Sequence, residues 1–177
     1  MPSALATTGQ QAADLAKSKF GDKILEIQSC PSDVILKVTV DAWKEVHTLL
    51  KAEGFNMFVS IAAVDWIKEG VMWVVSHVYD TKQKRRISVK TEVPRVSARV
   101  DSLASLWEAA NWHERECWDL SGVVFDGHPN LRRILCADDW EGHALRKDYK
   151  APDYYHGIQN NVNLIDLDHR PPIPDIV

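Results

Sequence analysis

Cysteine is scarce in this chain of 177 residues. Cys30, Cys117 and Cys136 are odd in number, far apart, and form no Cys-x-x-Cys pair. That excludes a disulfide framework and argues against an iron–sulfur or zinc site made within the chain. Buried, inert thiols are the expectation. Long apolar runs are missing as well: none reaches the ~18 residues that span a bilayer. Residues 1–11 lack the basic start and apolar stretch of a secretory signal, so none is expected. There is no excess of basic charge either. The net charge is −4, which excludes wholesale nucleic-acid binding. The chain holds no Gly-x-Gly-x-x-Gly, no Gly-Lys-Ser/Thr and no Gly-x-Ser-x-Gly, so phosphate-cradling loops and nucleophile elbows are absent. No internal repeat is visible.

What is present suits one domain with an extension. The hydrophobic fraction of 45% supports a packed core. Charge is uneven along the chain. Residues 1–118 hold 15 acidic and 15 basic side chains, whereas residues 119–177 hold 10 and 6 and carry the whole −4.

Residues 4–20 have helical character, stopped by Gly21-Asp22. Residues 23–29 and 33–40 read as a hairpin turned at Pro31-Ser32. Asp41 is the expected N-cap of a helix whose stripe is Ala42, Val46, Leu49 and Leu50, ended by Gly54. Residues 55–66 are apolar on both faces, Phe55, Met57, Val59 and Ile61 on one and Phe58, Ala62 and Val64 on the other, so both faces are expected to be covered. Residues 71–80 form another strand. In residues 85–93, Ile87, Val89, Thr91 and Val93 alternate with Arg86, Ser88, Lys90 and Glu92, as in a half-exposed antiparallel strand. The fold class is therefore α+β, a mostly antiparallel sheet covered by helices. A helix is expected from Asp101 or Ser102 with Leu103, Leu106, Trp107 and Ala110 inward. A break follows near Asn111, then a short helix to about Leu120. Three units result: an α+β domain over 1–120, a loop region over 121–149, and an extended, irregular C-terminal arm over 150–177. The arm is rich in proline yet too apolar for a solvated linker, as expected of a segment lying along another protein.

Residues 114–149 interleave charges, glycines and aromatics with no lasting period of two or 3.6, which points to fixed pairwise contacts. His113 and Cys117 stand at the i, i+4 spacing of a zinc-protease helix, one residue short of that motif. The blander reading is a charged helix end with Cys117 packed inward. Glu114, Glu116, Asp119, Asp138, Asp139, Glu141 and Asp148 suffice for acid–base work or magnesium binding. Each lies near an Arg, Lys or His in sequence, so structural ion pairs explain them more simply. His128 and His143 are candidates for titration near neutrality or for locking loops. Arg132-Arg133 and Arg146-Lys147 are two basic pairs suited to carboxylates or phosphates. Motif search alone finds no active site.

The central stretch resembles the 30 kDa subunit family of respiratory complex I, the NADH–quinone oxidoreductase of bacteria. The residues that carry the resemblance are Ala110-Asn111-Trp112, Glu114-Arg115-Glu116, Asp119-Leu120, Gly122, Phe125, Gly127-His128-Pro129, Leu131-Arg132-Arg133-Ile134-Leu135, Asp139-Trp140, Gly142-His143 and Leu145-Arg146-Lys147-Asp148-Tyr149. It covers residues 41–149 well and the tail loosely. Glu108, Ser121, Ala144 and Lys150 depart from the usual pattern.

The resemblance implies a core subunit of the hydrophilic arm of a proton-translocating NADH:quinone oxidoreductase. It implies no cofactor held by this chain; NADH, FMN, iron–sulfur clusters and quinone belong to the whole complex. The implied partners are the other subunits of complex I, chiefly the 49 kDa-type subunit, near the quinone site, and the small cluster-bearing one. Membrane association is then indirect, at the cytoplasmic face of a bacterial plasma membrane. These signature residues are implied to act at subunit interfaces. Corresponding subunits of membrane-bound hydrogenases or chloroplast-type complexes are the alternative, with a free-standing metal-dependent enzyme as the competing class.

Overall fold

The computed structural model describes residues 4–30 and 33–159, with side chains from Gly9 to Ile158. Its order is α1 (Ala4–Phe20), β1 (Ile24–Cys30), β2 (Asp33–Val38), α2 (Trp43–Ala52), β3 (Met57–Trp66), β4 (Val71–Asp80) and β5 (Arg85–Pro94), then β6 (Arg99–Asp101), α3 (Glu108–Ser121), β7 (Val124–Asp126), β8 (Tyr154–Tyr155) and β9 (Ile158–Gln159). The first five strands make one sheet in the order β1-β2-β5-β4-β3. Every neighbouring pair is antiparallel except β2 and β5, which run parallel because α2, β3 and β4 lie between them in sequence. The α+β expectation holds. The expected turn at Pro31-Ser32 lies outside the described residues, as does the arm beyond residue 159.

The strands form because their apolar residues alternate. On β4, Met72, Val74 and Val78 are buried, and on β5, Ile87, Val89 and Val93 are buried beside them. On β2, Val34, Leu36 and Val38 complete this face. Helices α1 and α2 pack against it. Gly9 of α1 sits so close that a Cβ there would meet Val34 and the Arg86 carbonyl, both at 3.2 Å. Helix α2 contributes Trp43, Val46 and Leu50, all fully buried. Each such side chain stabilises the fold by roughly 1.5–3 kcal/mol.

Three local expectations need correction. Asp41 does not cap α2; it lies inside a short 3₁₀ turn, Val40–Ala42, and Ala42 occupies the cap position without a side-chain bond. Nor does a helix run from residue 101. Residues 99–101 pair with β7 as a parallel strand instead, and residues 102–107 turn irregularly. Helix α3 starts after Trp107, its N-cap, extended at φ −137°, and runs unbroken through Asn111 to Ser121.

The third correction concerns β3. A bulge between Phe58 and Ser60 shifts its register, so that Phe58, Ile61 and Asp65 face inward while Val59, Val64 and Trp66 do not. Its second face is open; Val64 is 40% exposed. The same open face carries Trp66 against Trp73, ring centroids 4.7 Å apart, with the Lys90 ammonium 3.8 Å from the Trp73 ring.

Candidate subunit interface

Helix α3 organises the aperiodic segment. Its inner side buries Ala110, Glu114, Arg115, Cys117 and Asp119. Cys117 meets the Ile61 carbonyl at 3.5 Å, and burial pushes its thiol up to about 12. It therefore stays protonated, the buried thiol that was expected, whereas Cys30 and Cys136 are only half-buried because neither lies on a core-facing position. His113 lies 3.9 Å from Glu116 and beside the Phe58 ring. Among the described residues no group of three His, Cys, Asp or Glu is placed to hold a metal ion.

The charged residues of the signature fall into three clusters. The first is centred on Glu114, which has no exposed surface. Its two oxygens accept from Ser102 Oγ and from the Leu103 N–H, both at 2.6 Å. Burial pushes its pKa up to about 7 against these two donors. His128 Nε2 is 4.0 Å away. That ring accepts from the Asn130 N–H on Nδ1 and donates to the Asn111 carbonyl from Nε2, so it is neutral and ties the 127–130 turn to α3. Desolvation holds its pKa below the ordinary value.

The second cluster is centred on Asp119, also without exposed surface. One carboxylate oxygen accepts from the N–H groups of Ile134, Leu135 and Cys136 at 3.0, 2.8 and 2.9 Å. The other accepts from Arg133 at 2.6 Å. Burial alone would raise this carboxyl, but three amides and a guanidinium hold it far below the usual range. Arg133 also donates to the carbonyls of Trp140 and Gly142, and His143 donates to the Asp119 carbonyl. The loop thus has a carboxylate at its centre. Gly122 ends α3 at φ +79° and lies under His143; a Cβ there would come within 2.6 Å of the ring, so only glycine fits.

The third cluster fastens residues 145–149 to the sheet. Asp65, at the end of β3, binds Arg95 at 2.6 and 3.0 Å and accepts from the Lys147 N–H at 2.8 Å. Arg95 also pairs with Asp148, and Arg146 donates to the Arg95 carbonyl at 2.6 Å. The Arg95 guanidinium, first of all, keeps the Asp65 carboxyl low.

Other signature residues are placed singly. Arg115 stacks on Trp112 and donates to the carbonyls of residues 132 and 133. Glu116, Gly127, Pro129, Arg132 and Lys147 are exposed or half-buried at the surface. Asp139 accepts from Tyr155 and His156, and Tyr149 lies near-parallel to Trp140. Ser102 and Arg95 were missed as partners from sequence. The available signal was Asp65, a carboxylate on the inward parity of an apolar strand, which must find a cation. Trp112, Leu135 and Leu145 are 61%, 63% and 60% exposed.

A family model described as "Respiratory-chain NADH dehydrogenase, 30 Kd subunit" matches residues 36–155. The chain is 38% identical over 153 residues to the C-type subunit of the NADH-quinone oxidoreductase of Chlorobium phaeobacteroides, covering 84% of this chain and 92% of that protein. It is 37% identical over 156 residues to the corresponding protein of Chloroherpeton thalassium, covering 85% of this chain but 64% of that longer protein. Among solved structures, it resembles a chain of the archaeal membrane-bound sulfane sulfur reductase, a respiratory membrane complex. The TM-score is 0.71 and the identity 26%, over 81% of this chain and 86% of that one. A trypsin-resistant fragment of Nqo5 matches with a TM-score of 0.60 and 26% identity, over 69% of this chain and 98% of the fragment.

Proposed function

The chain belongs to the family of the respiratory-chain NADH dehydrogenase 30 kDa subunit, and we propose that it serves as a non-catalytic structural subunit of a proton-translocating NADH:quinone oxidoreductase. In this reading it docks on the 49 kDa-type subunit near the quinone site and touches the small cluster-bearing one. NADH, FMN, the iron–sulfur clusters and the quinone are held by those and other subunits. The chain then lies at the cytoplasmic face of the membrane through its partners; no described helix is long and apolar enough to cross a bilayer.

One observation carries the reading. Arg133, Asp119, Glu114, Arg95 and Asp65 are engaged with one another or with this chain's own backbone, while Trp112, Leu135 and Leu145 stand exposed beside them as large apolar side chains. Such a surface suits burial against another protein. The test is Leu135→Lys with Leu145→Lys. The expected outcome is an isolated chain that melts as the parent does, together with loss of this chain from the detergent-solubilised oxidoreductase. Full recovery in the complex, or NADH oxidation by the isolated chain, contradicts the reading.

A second reading is favoured by the match to the archaeal sulfane sulfur reductase: the same subunit role in an assembly that reduces another acceptor. Quinone reduction by the purified assembly with NADH as sole donor separates the two.

A further inference from the structure

A cavity of about 260 Å³ opens between the signature loop and the β8–β9 hairpin. It is smaller than the ~300–1,000 Å³ of a typical small-molecule site and suits one side chain. Trp140 and Tyr149 line it with near-parallel rings, centroids 6.3 Å apart at 21°. Tyr155 leans on Trp140 at 5.5 Å and 55°, and Tyr154, 62% exposed, stands at the rim. Asp139 and Glu141 are its two carboxylates. No arginine or lysine lines it among the described residues.

The site is built from both sides. Arg133 grips the Trp140 carbonyl at 2.7 Å and so ties the floor to the Asp119 cluster. Opposite, the hairpin turns at His156 and Gly157, both at positive φ, a geometry that holds two strands in tight register. Asp139 accepts from Tyr155 and His156 at 2.8 Å each. A carboxylate has about four lone-pair sites, so capacity remains.

Aromatic faces beside two carboxylates repel anions and attract cations. A guanidinium fits best: it is planar, weakly hydrated and stacks on rings, and its fork reaches carboxylates. Residues 119–177 carry the chain's entire excess of negative charge, which favours a basic visitor. We propose that this cavity receives an arginine side chain presented by a partner polypeptide. The inference rests on the reading that the chain works docked to other subunits, but its first test needs no assembly.

That test follows the Trp140 indole signal by NMR in the full chain, identified by its loss in Trp140→Phe. N-acetyl-arginine amide is titrated in, with N-acetyl-citrulline amide as the neutral isostere and tetramethylammonium as a compact cation. The expected result is a saturable shift with arginine in the millimolar range. Citrulline should bind at least about tenfold more weakly, because it lacks the charge that rings and carboxylates attract. Asp139→Asn with Glu141→Gln should weaken the arginine response. No saturable shift, an equal citrulline response, or tighter binding of tetramethylammonium overturns the proposal. So does a shift of the same signal on Arg170→Gln with no probe added, which would make the chain's own arginine the occupant. In the assembled complex, a photo-crosslinking residue at Tyr154 should label a partner peptide that contains arginine; a peptide without one overturns the assignment. A chain that binds arginine amide yet never assembles refutes the docked reading instead.

Discussion

The sheet and the signature segment are held by different forces. In the body, Val34, Leu36, Val74, Val78, Ile87 and Val89 form a continuous apolar layer under α1 and α2. Beyond α3, the backbone of residues 127–149 follows few regular elements. Two carboxylates without exposed surface, Glu114 and Asp119, and the nearly buried Asp65 take the place of a core. Apolar packing is non-directional and tolerates repacking. A carboxylate bound by three amides and a guanidinium is directional, and removing one partner strands another. The body should therefore fail globally and by degrees, and the signature locally and sharply.

The largest effect is expected in the body. Trp43→Ala empties a fully buried site whose indole also donates to the Asp101 carbonyl. It should lower stability by about 3–5 kcal/mol, read as a cooperative thermal transition at lower temperature by far-ultraviolet circular dichroism. In the signature, Asp119→Asn puts an amide group against either three N–H donors or Arg133, donor against donor. The expected loss is about 2–4 kcal/mol, read as protease cleavage within residues 131–149 at temperatures where the sheet is intact. Cleavage spread evenly over the chain would erase the distinction.

A smaller effect comes from pH. Burial raises the Glu114 pKa in the folded chain from its ordinary 4.5 to about 7. Its contribution is therefore complete below pH 4.5 and is lost as pH rises through 7. His47 works in the opposite sense. Fully buried between the Trp43 carbonyl and Ser76, it is pushed down from 6.5 to about 4 by desolvation, so its contribution is present above pH 6.5 and lost as pH falls toward 4. Glu114→Gln keeps an acceptor for the Leu103 N–H and turns an NH2 donor toward the Ser102 hydroxyl oxygen, without the ionisation. It should be more stable than the parent at pH 8 by about 1–3 kcal/mol, measured by urea denaturation, and should retain only the acid-side loss. A variant less stable than the parent at pH 8 would contradict the assignment of Glu114 as a buried acid. The smallest change belongs to the open sheet face: Val64→Lys should alter the isolated chain's stability by no more than about 0.5 kcal/mol, because its neighbours there are already partly exposed.

The same difference explains what was legible in the sequence. Period-two alternation marked β5, and the apolar stripe of Val46, Leu49 and Leu50 marked α2. Alternation could not show the bulge at Phe58, where one extra residue reverses the facing of Val59. Nor could it show that Asn111 continues a helix, since Asn followed by Glu three residues on reads equally as a start. In the signature, period carried nothing, because Asp119 meets residues 134–136 through backbone amides, which nearly any residue supplies. Motif resemblance found that segment, while the partners Arg95 and Ser102, distant in sequence and unremarkable in type, became visible only in three dimensions.

Asp119 is expected to hold the signature loop independently of the sheet. Amide hydrogen exchange of the full chain, parent against Asp119→Asn, tests it residue by residue. Protection should fall sharply at Ile134, Leu135 and Cys136, the three amides that donate to Asp119, while the amides of β2, β4 and β5 keep the parent's rates. Unchanged protection at those three positions, or an equal fall throughout the sheet, would contradict it.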